Sequence, residues 1–439
     1  MPARIQTPYG PLVLRPNRAS LADPRGRGPA HLNSYSYDGP KFSPFSAWNT
    51  PISARAQVDP MSDEFMRQTV DSDGHGRTLG FQILDRRGFT ISFEDPLYSG
   101  FSTLFWYADE TIPAVSVTQR YDYPNPAGTL TAPWPGSPVR IPNAATSATG
   151  SDGQMSVWDM STRILWEMWR AQKVPPYVTD PTPIPPGTPA GWYAGDLHGW
   201  SDFLARPTDP ASYYAESIDS GLGYRDYTRP GGTWTTRFGA VGFVAGPQVG
   251  AAGGEWHPAG NAYGGSQSGG HIMYAEMLRG DIPHALRYTV LTPMNHHYAQ
   301  GLGVDGISEN IACCCDGDIT TSGSPYGAWL MSDTTHQVPM GSRIRIKASV
   351  DVAARARNAQ NPRAATIIGA CLQRYGAYLV DRGGQTSFQA ETLSGKNVSW
   401  VGLLNKDDPR VFLPQDFEVM SLPPTLGTRA VVAPEWQTV

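Results

Sequence analysis

Apolar residues return at every second position along several short stretches of the 439-residue chain, the period of a strand with one buried face. In RGFTISF the stripe is Phe89, Ile91 and Phe93, and in PAVSVTQRY it is Val115, Val117 and Tyr121. The segment MSVWDMSTRILWEMW (155–169) holds two such runs around a turn at Asp159 to Thr162. It predicts a hairpin with Trp166 and Met168 set against Val157 or Trp158. The longest alternation, SRIRIKASVDV (342–352), turns Ile344, Ile346, Ala348, Val350 and Val352 inward and Arg343, Arg345, Lys347 and Asp351 outward. In PHALRYTV the same rule puts His284 beside Leu286, Tyr288 and Val290 on the inner face.

Two segments carry helical spacing instead. IMYAEMLRG repeats apolar residues through Met273, Met277 and Leu278 and ends at Gly280. NPRAATIIGACLQRYG has Asn361 to cap, Pro362 for the first turn, a stripe of Ile367, Ile368, Cys371, Leu372 and Tyr375, and Gly376 to end it. Residues 1–30 are proline-rich without a sustained apolar period, and predict an extended N-terminal arm suited to docking. The rest, 31–439, reads as a single large domain. Its proline-dense stretch 174–191 is expected as a long surface loop, and Gly242 to Gly270 as another. The expected fold is all-β: a large antiparallel β-sandwich or jelly roll with long Pro/Gly-rich loops and two or three short helices. No internal repeat marks a propeller or a β-helix.

Composition sharpens this picture. With 47 Gly, 40 Pro, 13 Trp and 20 Tyr but only 17% charged residues, the chain favours turns and aromatic surfaces. The net charge of -5 comes from scattered residues, so no basic patch points to nucleic acid. No run is long and apolar enough for a membrane span, and the first residues lack the apolar core of a signal peptide. Of the four cysteines, Cys313, Cys314 and Cys315 are adjacent and Cys371 stands apart. None has zinc spacing, and reduced, partly buried thiols are expected.

Candidate chemistry is sparse. His284 is either a structural histidine bonded to a carbonyl or carboxylate, or a group facing a ligand cleft. Asp381 in YGAYLVDRGG either orients His284 or a sugar hydroxyl, or bonds its own turn. Glu167, between Trp166 and Trp169, is the best candidate for the acid of a glycosidase, against the simpler reading of an outward strand glutamate. DSDGHG (71–76) and CDGDI (315–319) space carboxylates as calcium loops do but lack the remaining ligands, and His296–His297 has no zinc pattern around it. No metal or other cofactor is therefore expected. No nucleophile elbow or P-loop occurs. Aromatic segments supply candidate glycan contacts at Trp106, Tyr107, Trp169, Trp192, Tyr193 and Trp200, residue types that equally fill cores.

The segments GDIPHALRYTV, PMGSRIRIKASVDV and LQRYGAYLVDRGG, with SAWNTPI and DGQMSVWDMSTRILWEMWRA upstream, resemble a family of large secreted actinobacterial proteins. That family is largely uncharacterised and β-jelly-roll in fold. The resemblance runs in scattered blocks from Ser43 to Glu418. The proline-rich start without a signal peptide, and a basic complement that is mostly Arg, look more like an actinobacteriophage minor tail protein carrying such a module. The resemblance implies a virion protein, assembled in the host cytoplasm and acting outside the host cell. Its arm would bind other tail proteins and its body host envelope polysaccharide, as a homo-oligomer for which tail symmetry suggests a trimer. A polysaccharide-degrading hydrolase or lyase is the alternative. No catalytic residue is carried over from the family.

Overall fold

The computed structural model describes residues 4–7, 10–13, 28–37, 39, 48–54, 56–63, 65–66, 89–92, 102–120, 131–133, 138–148, 153–162, 164–169, 171–174, 233–236, 238–243, 266–290, 338, 341–382 and 386–420. The elements begin with β1 (Arg4–Thr7), β2 (Gly10–Val13), α1 (Pro29–Ser34), β3 (Thr90–Ser92), β4 (Leu104–Ala108), β5 (Ala114–Val115), β6 (Val117–Arg120) and β7 (Thr131–Pro133). Next come β8 (Val139–Arg140), β9 (Met155–Asp159), β10 (Ile164–Trp169), β11 (Gln172–Val174), β12 (Thr233–Thr236), β13 (Phe238–Phe243), α2 (Tyr274–Arg279) and β14 (Leu286–Val290). The last are β15 (Arg343–Ile346), α3 (Val352–Ala356), α4 (Pro362–Arg374), β16 (Ala377–Arg382), β17 (Ser387–Gln389) and β18 (Phe417–Val419).

Strands dominate and the helices are few and short. The sheets are mixed, however, and this corrects the expectation of a purely antiparallel sandwich. The six-stranded sheet runs β18-β15-β16-β14-β17-β3, and two four-stranded sheets run β13-β10-β9-β4 and β11-β12-β6-β7. Parallel pairs join β4 to β9, β6 to β12, β14 to β16 and β3 to β17. Each parallel pair joins strands far apart in the chain, long enough connections for the crossover that parallel pairing needs.

The expected hairpin is present, with Trp166 opposite Val157 and Met168 opposite Met155. Its turn is set by Asp159, whose Oδ1 accepts the backbone N–H of Ser161 at 2.9 Å and of Thr162 at 3.1 Å. Both faces of this sheet are covered, so alternation sorts residues between two cores rather than between core and water. Leu104, Trp106, Met155, Val157, Trp166 and Met168 enter one core. Phe105, Tyr107, Trp158 and Leu165 enter the other, shared with the six-stranded sheet and α4.

The SRIRIKASVDV strand is shorter than its pattern, because β15 stops at Ile346. A turn follows, with Val350 N–H bonded to Lys347 O at 3.0 Å. Asp351 then caps α3 through Ala354 N–H at 2.9 Å, which places Val352 in a helix. Arg343 is buried rather than outward: its Nε donates to Tyr375 O at 2.9 Å, and its guanidinium lies 4.9 Å from the Tyr378 ring centre. α4 follows its sequence signals, from the Asn361 cap on Ala364 N–H at 3.1 Å to Gly376 beyond its end. Helices α1 and α3 had no periodic signal, being only 6 and 5 residues long.

Gly376 has φ +70°, and a Cβ there would lie 2.2 Å from Ile344 O, whereas Gly395, at φ +76°, would meet nothing within 4 Å. Gly376→Ala is expected to cost about 2–4 kcal/mol, against ~1 kcal/mol for Gly395→Ala. Urea-unfolding midpoints of the two variants check this. Equal losses would mean that the backbone contact at Gly376 is unimportant.

Candidate functional site

Glu167 lies on β10, in the sheet whose two faces are both covered, and is buried. The segment 266–268 wraps its carboxylate: Oε1 accepts Ser266 Oγ–H at 2.5 Å and Ser268 N–H at 2.7 Å, and Oε2 accepts Gln267 N–H at 2.9 Å. Burial raises the Glu167 pKa above its ordinary value, and the bonds from Ser266, Gln267 and Ser268 oppose that rise. The outward strand position expected from sequence is thus an inward one, with its bonding capacity taken up by the protein.

The segment that wraps Glu167 belongs to the glycine-rich stretch expected to form a surface loop. Its residues 266–270 are instead buried. A Cβ on Gly269 would stand 2.4 Å from the Trp48 ring, and one on Gly270 would stand 2.6 Å from Arg287 N, so only glycine fits this wedge. Ser268 Oγ meets Ser156 Oγ at 2.8 Å, Arg287 Nη1 donates to Gln267 O, and Arg287 N–H donates to Gly270 O at 3.0 Å. The wedge therefore ties β9 and β10 to β14.

His284 precedes β14 and is buried. Its Nε2 lies 3.0 Å from Glu276 Oε1, and its Nδ1 lies 2.8 Å from Ala285 O. Glu276 comes from α2, where its Oε2 also accepts Met273 N–H at 3.0 Å. Cys371 Sγ–H on α4 donates to His284 O at 3.0 Å. Burial pushes the Cys371 thiol well up, with Glu276 and Asp281 adding to the effect and Arg343 opposing it, so this cysteine stays a thiol and not a nucleophile. His284 thus joins α2, β14 and α4 at one corner.

Asp381 is half-buried on β16 and sits in register with Thr289. Leu286 pairs with Ala377 at the other end of that ladder, about 10 Å away at ~3.3 Å per residue. His284 lies before Leu286, so Asp381 does not orient it. Glu167 belongs to a different sheet from both. The structure does not bring the three catalytic candidates together, and no acid–base pair forms among them.

The six-stranded sheet carries two unlike sets of side chains. Leu286, Tyr288 and Val290 on β14, Ile344 and Ile346 on β15 and Phe388 on β17 are apolar core residues. The intervening positions hold Arg287, Thr289, Arg343, Ser387 and Gln389, all buried. Thr289 Oγ1 and Ser387 Oγ meet at 3.1 Å. Tyr378 of β16 pairs with both Arg287 and Arg343, so these hydroxyls, the amide and the guanidinium groups share their face with an aromatic core residue.

Of the expected glycan contacts, Trp106 and Tyr107 are buried in the two cores on opposite sides of β4, with Trp106 Nε1–H bonded to Thr146 O at 2.7 Å. Neither presents a ring face at the surface, because that strand is covered on both sides. Trp169 is half-buried at the end of β10. Trp192, Tyr193 and Trp200 lie outside the described residues, as do Cys313, Cys314 and Cys315, both calcium-like loops and His296–His297. An exposed aromatic that the pattern did not single out is Tyr35, 41% exposed and stacked on His31 at 4.6 Å between ring centres.

Glu391, Lys396 and Ser36 were also missed. Glu391 is buried, with Lys396 Nζ 2.9 Å from its Oε2, and with Ser36 Oγ–H and Tyr274 N–H bonded to its Oε1. Ser36 and Glu391 are too distant in sequence for any local pattern to connect them. The one available signal is rarity, since Lys396 is one of five lysines in the chain. Among the described residues no helix is long and apolar enough to cross a membrane. Comparisons with protein-family models, curated proteins and solved structures find no match.

Two outcomes follow from these contacts. A carboxyl whose folded pKa is raised contributes stability that is complete below its unfolded value, near 4.5 here, and is lost as pH rises through the folded value. Wild-type stability should therefore fall relative to Glu167→Gln as pH is raised from the ordinary glutamate range towards neutrality. Parallel denaturation curves across that range test it, and a constant difference would refute it. His284→Ala leaves Glu276 buried without its imidazole partner and should cost about 2–4 kcal/mol. Thermal or urea denaturation measures that loss, and an unchanged midpoint would show that the corner does not depend on the ring.

Proposed function

We propose that the chain is a structural protein of a bacteriophage tail tip, a minor tail protein. Its N-terminal arm docks to other tail proteins, and its β-rich body contacts glycans of the host cell envelope. The observation that carries this reading is the N-terminal hairpin. Strands β1 and β2 pair antiparallel with each other, Thr7 opposite Gly10, and among the described residues neither joins another sheet. A lone hairpin is marginal in water, and its outer edges offer backbone groups to a neighbouring strand. Such an element suits an arm completed by a partner.

The body is proposed to be a layered sandwich in jelly-roll style, modified by parallel pairs. The two cores on either side of β4, β9 and β10 support that layering. Binding is favoured over bond cleavage because Glu167 and His284 are each engaged by protein partners in separate places. The Tyr35–His31 stack offers a ring face of the kind that sugars pack on. A homo-oligomer, with a trimer as the state that tail symmetry suggests, completes the proposal.

Electron microscopy of purified virions labelled with antibody to this chain tests the assignment. Label is expected at the tail tip, and a chain lacking residues 1–27 should keep its fold but fail to enter particles. Absence of the full chain from particles would overturn the assignment. Release of oligosaccharides from purified envelope glycan would replace binding with a hydrolase or lyase activity.

A further inference from the structure

We propose that Glu391 and Lys396 form an intramolecular amide cross-link, made without a cofactor by the site in which they are held. Lys396 Nζ lies 2.9 Å from Glu391 Oε2, with side-chain exposures of 2% and 0%. The other oxygen, Oε1, accepts Ser36 Oγ–H and the Tyr274 N–H, the latter at 2.6 Å. One carboxylate oxygen thus faces an amine while the other faces two fixed donors. That is the arrangement that acyl transfer requires, with donors on the oxygen that gathers charge and the nucleophile beside the oxygen that leaves.

The surrounding chain holds both groups in place. Asn397 N–H donates to Ser34 O at 2.7 Å, Lys396 N–H donates to Leu393 O at 3.0 Å, and Trp400 Nε1–H donates to Glu391 O at 3.1 Å. The Tyr107 ring centre lies 5.9 Å from Nζ. Fixing amine and acid side by side removes the entropy of encounter, and an aromatic, water-poor setting disfavours hydrolysis of the product.

The step balances without an added reagent. Transfer of one proton from Nζ to Oε2 gives a neutral amine and a carboxylic acid. The amine lone pair then attacks Cδ, and Oε1 carries the negative charge of the tetrahedral species against Ser36 and Tyr274. The C–N bond forms, the C–Oε2 bond breaks, and Oε2 leaves as water with the second proton lost by nitrogen. The amide keeps one hydrogen on Nζ, and its Oε1 retains both donors. The three protons of the ammonium end as one on the amide and two on water.

Intact-mass spectrometry of the folded, full-length chain tests the cross-link. The wild type is expected to be lighter by one water, and Lys396→Arg to retain the full mass of its sequence. In a tryptic digest, residues 383–406 should appear as one peptide lighter by one water and uncut after Lys396, with no fragment ions separating 391 from 396. Ser36→Ala removes one donor from Oε1 and should lower the cross-linked fraction. A folded wild-type chain of full mass that trypsin cuts after Lys396 would overturn the proposal and leave an ordinary buried ion pair. A water loss located elsewhere would overturn it equally.

Discussion

Glu167 is a carboxylate placed inside the protein, and much of the described architecture rests on how its burial is offset. Taking such a group out of water costs several kcal/mol unless its lone pairs find donors. Here the donors come from 266–268, a segment held far from β10 in sequence but close in space. The same segment then gives its Gln267 carbonyl to Arg287, a fully buried guanidinium on β14. Acid and base are thus not paired directly. Both are bonded by the same short segment, which thereby links the sheet of β10 to the sheet of β14.

A second set of contacts joins the same two sheets on another edge. Thr392 N–H donates to Thr103 O at 3.2 Å, and Ser102 Oγ–H donates to Ala390 O, so the chain entering β4 is bound to the chain leaving β17. The core shared by these sheets holds rings packed edge to face, Tyr37 on Trp158 at 5.2 Å and Trp48 on Tyr378 at 5.2 Å. Apolar burial supplies the driving force here and is non-directional. The polar ties set which residues meet.

The parts of the fold legible in the sequence are those governed by local rules. The β9–β10 hairpin and α4 follow from alternation, a turn aspartate and a capping asparagine, all within a few residues of what they specify. SRIRIKASVDV shows where such rules end. Its alternation continues past Ile346, but a turn at Lys347 to Val350 and the Asp351 cap convert the second half into the start of a helix. Alternation places Arg343 and Glu167 outward, and both are buried. Period two assigns a residue to a face, and a polar residue suggests that the face is wet, yet here both faces are covered. His284 was legible as an inward residue. Its partner Glu276 was not, because Glu276 also reads as an ordinary charge in the first turn of α2.

The same distinction bears on function. A hydrolytic site needs an acid and a base that face one substrate, with protonation states free to change during the reaction. Glu167 and His284 are buried and already bonded, and a proton moved at either would disturb a structural joint. Buried polar joints of this kind contribute little net stability compared with apolar packing, but removing one partner is expensive, so they favour a single arrangement of the layers. A body whose sheets are registered in this way holds surface groups such as Tyr35 in a fixed relation to the core. That property is compatible with the binding role proposed above.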